Sequence, residues 1–250
     1  QILFMQRIPD YAAVNSTVAF IRSKVNKTLA GVCNAVLRNL IRSKEALSYP
    51  PINSLAYLSV YYSQPEWLAE LWITRYGEEL TTTMLAYMNQ KPRLTLRVNT
   101  LVTDAETLML ELSREGIDVR PSRLLPYSLM IDSMEKSIDQ MYAYQAGWFY
   151  IQNEAAMLAA DILDPHAGEN ILDLCSGVGG KATHFAEKMK NKGRIKAVEL
   201  HPHKLTLLGK NCQRLGLTNI KGEQKDILAM EEEPVWHRVF LDAPCSGLGV

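Results

Sequence analysis

The chain has no apolar run approaching the roughly 18 residues that a membrane span requires. Its start, Gln1–Asp10, shows no charged segment followed by a long apolar stretch. Neither a membrane span nor a secretory leader is therefore read, and a cytoplasmic location is expected. An initiator Met is missing and the sequence begins in mid-pattern, so residues upstream are expected. Cysteine is scarce: Cys33, Cys175, Cys212 and Cys245 are widely spaced and form no CxxC pair. Disulfide frameworks need denser cysteine and zinc sites need close ligand pairs, so neither is expected, and no metal is assigned. Net charge is lacking too, since 27 Lys and Arg balance 27 Asp and Glu. That balance excludes an overwhelming nucleic-acid footprint spread over the whole surface. There is no internal repeat and no low-complexity tract.

Charge is nevertheless unevenly placed. Residues 1–45 hold seven Lys and Arg against two acids, and residues 181–225 hold eleven against three, around an acidic middle. Two basic ends permit a local phosphate-binding surface, although solvated helix faces would give the same pattern.

The first segment reads as helical. Val14, Val18, Ile21 and Val25 recur at helical spacing, and Leu29, Val32, Cys33, Val36, Leu37 and Leu40 form an apolar stripe. Cys33 lies on that stripe and is expected to pack in a core. Tyr49-Pro50-Pro51 marks a boundary. Trp67, Leu68, Leu71 and Trp72 predict a helix ending near Gly77. Tyr61, Tyr62, Trp67 and Trp72 are expected in a core rather than as base-stacking platforms. Leu94–Val98 alternates strictly, which predicts a half-buried strand with Arg97 facing either solvent or RNA. Asp104 caps a predicted helix over 104–115 that stops at Gly116, and short strands follow near 117–120, 128–132 and 147–151, giving a small α+β domain.

From Ile151 helices and strands alternate. A helix at about 153–163, a strand at 170–174, a helix at 181–190, a strand at 194–199, a helix at 202–215 and strands at 219–223 and 237–242 predict a parallel, doubly wound sheet. The first strand runs into Asp173-Leu174-Cys175-Ser176-Gly177-Val178-Gly179-Gly180-Lys181. Such a turn lets a ligand approach the backbone, and the next helix offers free N–H groups. Glu199, ending the second strand, is placed to accept from two ribose hydroxyls. Gly177, Gly179 and Ala182 also satisfy the GxGxxG/A dinucleotide fingerprint, so an NAD enzyme stays open on this motif alone. A Walker loop does not fit, because Cys175 stands where Gly is needed. Asp242-Ala243-Pro244-Cys245-Ser246-Gly247 lies at the carboxyl edge of the same sheet and presents a thiol on a rigid turn beside the crevice. NAD chemistry has no use for that thiol, whereas chemistry on a pyrimidine ring does.

On these motifs the chain resembles the RNA 5-methylcytosine methyltransferases, most closely the RsmB (Sun/Fmu) family that acts on 16S ribosomal RNA. The resemblance rests on Gly147-Trp148 through Gln152–Ala156, on Leu172–Lys181 with Thr183-His184, and on Asp242–Gly247. Upstream, Arg7–Asn15 and Asn34–Asn39 are similar to the end of that family's NusB-like helical domain, and Ser63–Leu68 and Leu96–Thr100 to its linking domain. Val178 departs from the family's usual Pro, Glu199 from its frequent Asp, and Lys204 from its frequent Arg.

The resemblance implies a NusB-like end over 1–48, a linking α+β domain over 49–145 and the front of a Rossmann-like methyltransferase domain over 146–250. It implies S-adenosylmethionine as cofactor, held by Asp173, Cys175, Ser176, Gly177, Gly179, Gly180, Lys181, Glu199, Lys204, Asp226 and Asp242, with Glu199 on the ribose and Asp226 on the adenine side. Asp242 would also hold the cytosine. The family uses two cysteines: one in a later Thr-Cys motif attacks carbon 6, and the Pro-Cys thiol, here Cys245, assists product release. The sheet of the family has seven strands and four are readable here, so the chain is expected to be part of a longer protein and inactive alone. A non-catalytic RNA-binding or ribosome-assembly factor on the same fold is the alternative. A monomer acting on ribosomal RNA, without membrane or metal, is expected.

Overall fold

Asn26 divides the first helical run: its side chain accepts from the Leu29 N–H at 2.7 Å, starting a second helix. The computed structural model describes residues 8–52, 54–90, 92–231 and 235–247, so Arg7 of the upstream motif lies outside the described residues. The chain forms two compact units, Gln1–Gln90 and Lys91–Val250.

The first unit is helical: α1 (Asp10–Lys24), α2 (Lys27–Arg42), α3 (Leu55–Tyr62), α4 (Glu66–Tyr76) and α5 (Glu78–Met88). Ala13 and Val14 of α1 pack against Leu37, Leu40 and Ile41 of α2. The expected stripe is only partly used, since Leu29, Val32 and Val36 stay exposed and Cys33 is half-buried. Periodicity names the apolar face but not its cover, and α1 reaches only one end of it. Trp72 joins the core of Leu58, Ala69 and Leu85 as expected. Trp67 and Tyr61 do not, being exposed; Tyr57 and Tyr61 stack with centroids 5.0 Å apart at the surface.

The second unit begins with β1 (Thr95–Val98), α6 (Ala105–Arg114), β2 (Ile117–Pro121), β3 (Ser128–Met134), α7 (Tyr142–Gln145) and β4 (Phe149–Ile151). Their strands form an antiparallel sheet in the order β2-β3-β1-β4. Leu96 and Val98 of β1 meet Leu108 and Leu112 of α6 and Phe149 of β4 in one core. The helix starts where expected, with the Asp104 carboxylate accepting from the Thr107 N–H at 2.8 Å. Strand β1 differs from the expectation, for all four of its residues are buried. Its alternation is real, but its polar face is covered as well.

What covers that face follows in sequence: α8 (Glu154–Leu163), β5 (Asn170–Asp173), α9 (Gly180–Lys188), β6 (Arg194–Glu199), α10 (Pro202–Leu215), β7 (Ile220–Gln224) and β8 (Arg238–Phe240). These strands make a parallel sheet in the order β7-β6-β5-β8. Its core gathers Ile171, Phe185, Ile195, Ala197 and Leu208, with Phe185 edge-on to Phe240. Edge strand β8 leaves Val239 exposed.

The two sheets meet along a polar seam. Arg97, 0% exposed, reaches from β1 to α9. Asn99 donates to the carbonyls of Gly147 and Leu215, and Arg214 donates to those of Tyr144 and Phe149. At Gly147 the backbone passes so close to α10 that a Cβ would lie 2.0 Å from the Arg214 carbonyl oxygen. Among the described residues no helix is long and apolar enough to cross a membrane.

Candidate cofactor site

Three strands of the parallel sheet deliver one acid each toward its carboxyl edge. β5 ends at Asp173, β6 ends at Glu199, and β8 is followed by Asp242. The central position of β5 and β6 in the sheet explains why Ile171, Leu172, Ile195, Ala197 and Val198 are all buried ahead of these ends. The chain then turns from β5 through the glycine-rich loop, with Gly177 and Gly179 at positive φ, into α9.

Asp173 is the most perturbed group. It is 1% exposed, and among the described residues neither carboxylate oxygen has a hydrogen-bond partner. Burial pushes its pKa up to about 7, against the pull of the Cys175 N–H and the Lys181 ammonium and with the help of Asp242 and Glu199. The Ser176 hydroxyl is likewise buried without a partner. Two orphaned acceptor groups at a sheet edge are the mark of a site that a ligand completes.

Glu199 is already engaged. Its carboxylate accepts from the N–H groups of Gly177 and His201, each at 3.0 Å, and lies 3.6 Å from the Lys204 ammonium. Desolvation raises its pKa, yet these two N–H groups and Lys204 outweigh it, and the net shift is downward. Lys181, at the start of α9, pairs with Asp242. That contact joins the turn carrying Cys245 to the glycine-rich loop. Cys245 itself is exposed, with the Gly247 N–H 3.4 Å from its sulfur. Cys175 sits in the loop, where burial and the charges of Asp173, Glu199 and Asp242 raise its pKa. Asp226 stands off from this group: it caps a short turn after β7 by accepting from the Leu228 N–H. Its neighbour Lys225 donates to the Glu199 carbonyl.

The loop thus brings Asp173, Cys175, Ser176, Gly177, Gly179, Gly180, Lys181, Glu199, Lys204 and Asp242 to one edge, with Asp226 and Cys245 on flanking turns. Sequence reasoning missed Arg97 and Glu187. Arg97, expected toward solvent or RNA, is instead held by Glu187 at 2.9 and 2.8 Å. A charge on a short alternating strand was the available signal, but its partner lies 90 residues away. His184 is a packing residue, edge-on to Tyr127, and burial together with Arg97 and Lys188 drives its pKa down to about 2. The basic stretch within 181–225 is partly spent on ion pairs: Lys188 pairs with Asp161 and Lys196 with Glu223. Among the described residues no group of His, Cys, Asp or Glu is arranged to hold a metal ion.

Comparison with known proteins agrees with this architecture. Residues 1–42 match the NusB family, residues 64–137 match the ferredoxin-like domain of RsmF/B-like methyltransferases, and residues 160–250 match the 16S rRNA methyltransferase RsmB/F. A relative from Bacillus subtilis strain 168, called probable ribosomal RNA small subunit methyltransferase B, is 35% identical over all of this chain and 56% of its own length. The chain therefore spans about half the length of the curated relatives it matches. The solved structure of PH0851 superposes with a TM-score of 0.81 at 30% identity, covering 94% of this chain and 53% of that one. A methyltransferase homolog from Pyrococcus horikoshii gives 0.68 at 25% identity, covering 80% and 65%. The parallel sheet is that of methyltransferases that use S-adenosylmethionine. With all three domains matched in this order and its relatives aligned along its whole length, the chain is similar throughout to the 16S rRNA methyltransferases RsmB/F.

Proposed function

We propose that the protein carrying this chain transfers a methyl group from S-adenosylmethionine to carbon 5 of a cytosine in 16S ribosomal RNA, through a cysteine adduct at carbon 6. The observation that carries this reading is the Lys181–Asp242 pair, which sets the Asp242–Cys245 turn against the start of the cofactor loop. A base held at the turn then lies beside a cofactor held at the loop.

The residues fit the cofactor. Asp173 and Ser176 offer buried acceptors with no internal partner, and the surrounding carboxylates suit a cationic sulfonium and an ammonium group. Glu199 would take the ribose hydroxyls and Asp226 the adenine side, as the resemblance implies. A dinucleotide would place a pyrophosphate among the same carboxylates, with Lys181 and Lys204 already paired to Asp242 and Glu199. The site therefore disfavours NAD. When bound, S-adenosylmethionine supplies an electrophilic methyl group.

Because Asp173 is protonated up to about pH 7 in the free protein, a cationic ligand that prefers the ionised form must displace that proton. Affinity for S-adenosylmethionine should rise between about pH 5 and 7 and level off above. Calorimetry at pH 6 in two buffers of different ionisation enthalpy should register proton release, and Asp173→Asn should abolish it. A pH-independent affinity would rule out Asp173 as a cofactor ligand.

Carbon 5 becomes nucleophilic once a thiolate adds at carbon 6. Burial raises the Cys212 thiol to about 11, and Cys175 is raised as well, so neither supplies that thiolate. It comes instead from the Thr-Cys segment that the family resemblance implies. Asp242 accepts from the exocyclic amine of the cytosine, which must leave its stack to reach the turn. A base then takes the carbon 5 proton, the electrons of that bond re-form the ring double bond as the carbon–sulfur bond breaks, the sulfur leaves as thiolate, and Cys245 assists this release. In the complete protein, Cys245→Ala should accumulate a covalent protein–RNA adduct, visible on a denaturing gel with labelled RNA. Full turnover without adduct would remove Cys245 from the mechanism.

A further inference from the structure

The buried guanidinium of Arg97 uses every donor it has. Nε and Nη2 donate to the two carboxylate oxygens of Glu187 at 2.9 and 2.8 Å, and Nη2 also donates to the Thr183 hydroxyl at 2.9 Å. Nη1 donates to the Gly180 carbonyl at 2.7 Å and to the Gln152 side chain. The Tyr150 ring lies against the guanidinium, 5.0 Å from centroid to carbon.

Gly180, Thr183 and Glu187 follow one another at three- and four-residue spacing, so they form a single face of α9 over two turns. A fork that grips all three fixes both the rotation and the axial position of the helix. Gly180 is also the residue through which the loop becomes α9. A Cβ there would touch Tyr150 and Gln152 at 3.7 and 3.8 Å, so this end of the loop rests directly on the antiparallel sheet. Because Arg97 donates to the Thr183 oxygen, the Thr183 hydroxyl proton is free for the Gly179 carbonyl, 2.7 Å away. Both carbonyls at the end of the loop are thereby held, one directly and one by relay.

We propose that Arg97 is a positioning residue for the cofactor: from the antiparallel sheet it clamps the first turn of α9, and so holds the Gly177–Gly180 loop in its ligand-ready setting. This rests on the reading of that loop as the cofactor's cradle. A fully buried guanidinium needs an acceptor for each of its five N–H groups, and Glu187 takes only two of them. Of the remaining acceptors, Gly180 and Thr183 are the ones that reach the loop.

The test separates clamp from glue in the complete enzyme. Arg97→Lys keeps the charge opposite Glu187 but cannot serve Gly180 and Thr183 together, and Thr183→Val removes the relay and one acceptor of Nη2 while leaving the bonds to Glu187 and Gly180 in place. Both variants should raise the KM for S-adenosylmethionine roughly tenfold, with kcat and the KM for RNA within about twofold of the wild type. Hydrogen exchange in the folded variants should quicken in the peptide covering 176–184 and not in those covering 170–173 and 194–199. Unchanged KM and unchanged exchange at 176–184 would overturn the role of Arg97. A fall in kcat that simply tracks lost folded protein would do the same. Wild-type enzyme that binds no S-adenosylmethionine would instead overturn the cofactor reading itself, a result distinguishable because the exchange measurement needs no ligand.

Discussion

Replacing Glu187 with leucine should lower the unfolding free energy of the chain by about 3–5 kcal/mol, the usual cost of leaving a buried charge without its partner. Arg97 would keep Gln152, Thr183 and the Gly180 carbonyl, but these are neutral acceptors, and the guanidinium is fully buried. The gross attraction between the two ions is not what this number measures, because both were desolvated to form the pair. A double replacement, Glu187→Leu with Arg97→Met, removes both charges and should recover most of the loss. Urea unfolding of the four proteins of this cycle measures the coupling. A single-variant loss under about 1 kcal/mol would mean that water reaches the pair, contrary to its burial.

The second large effect belongs to Gly147. Its φ is +75°, and a Cβ would sit 2.0 Å from the Arg214 oxygen and 2.9 Å from its carbonyl carbon. Both are backbone atoms of α10 and cannot swing aside. Gly147→Ala should therefore combine about 1–2 kcal/mol for left-handed backbone with about 1–3 kcal/mol for overlap. Gly116 provides the control. Its φ is +79° but nothing lies within 4 Å of its missing Cβ, so Gly116→Ala should show the backbone cost alone. Equal losses in thermal or denaturant unfolding would mean that α10 can retreat from β4.

These two sites also mark what the sequence could not disclose. Local chemistry was readable wherever cause and effect lie close in the chain. Asp104 and Gly77 set helix ends through their own neighbours, and the loop from Asp173 to Lys181 announced a ligand because its glycines, acid and following helix are contiguous. Faces were harder. Alternation in Thr95–Val98 correctly gave a strand, but a polar residue on an alternating strand reads as solvent-facing, and here α9 covers it. The stripe on α2 was legible as apolar, whereas the exposure of Leu29, Val32 and Val36 depends on what packs there. Arg97 and Glu187 met neither condition, since only the folded chain brings residues 90 apart into one fork. Asp242 was legible as a site residue by its motif, yet its pairing with Lys181, 61 residues away, needed the sheet order β5-β8 to appear.

The fork at Arg97 also constrains how such a chain can be inherited. Its partners at 152, 180, 183 and 187 all lie downstream. A recombination crossover anywhere between β1 and α9 would join an arginine from one parent to a helix from another. Unless both parents carried the same four partners, the hybrid would bury an unmatched charge at the base of its own loop. The segment from 97 to 187 therefore behaves as one heritable block, even though it spans parts of two domains.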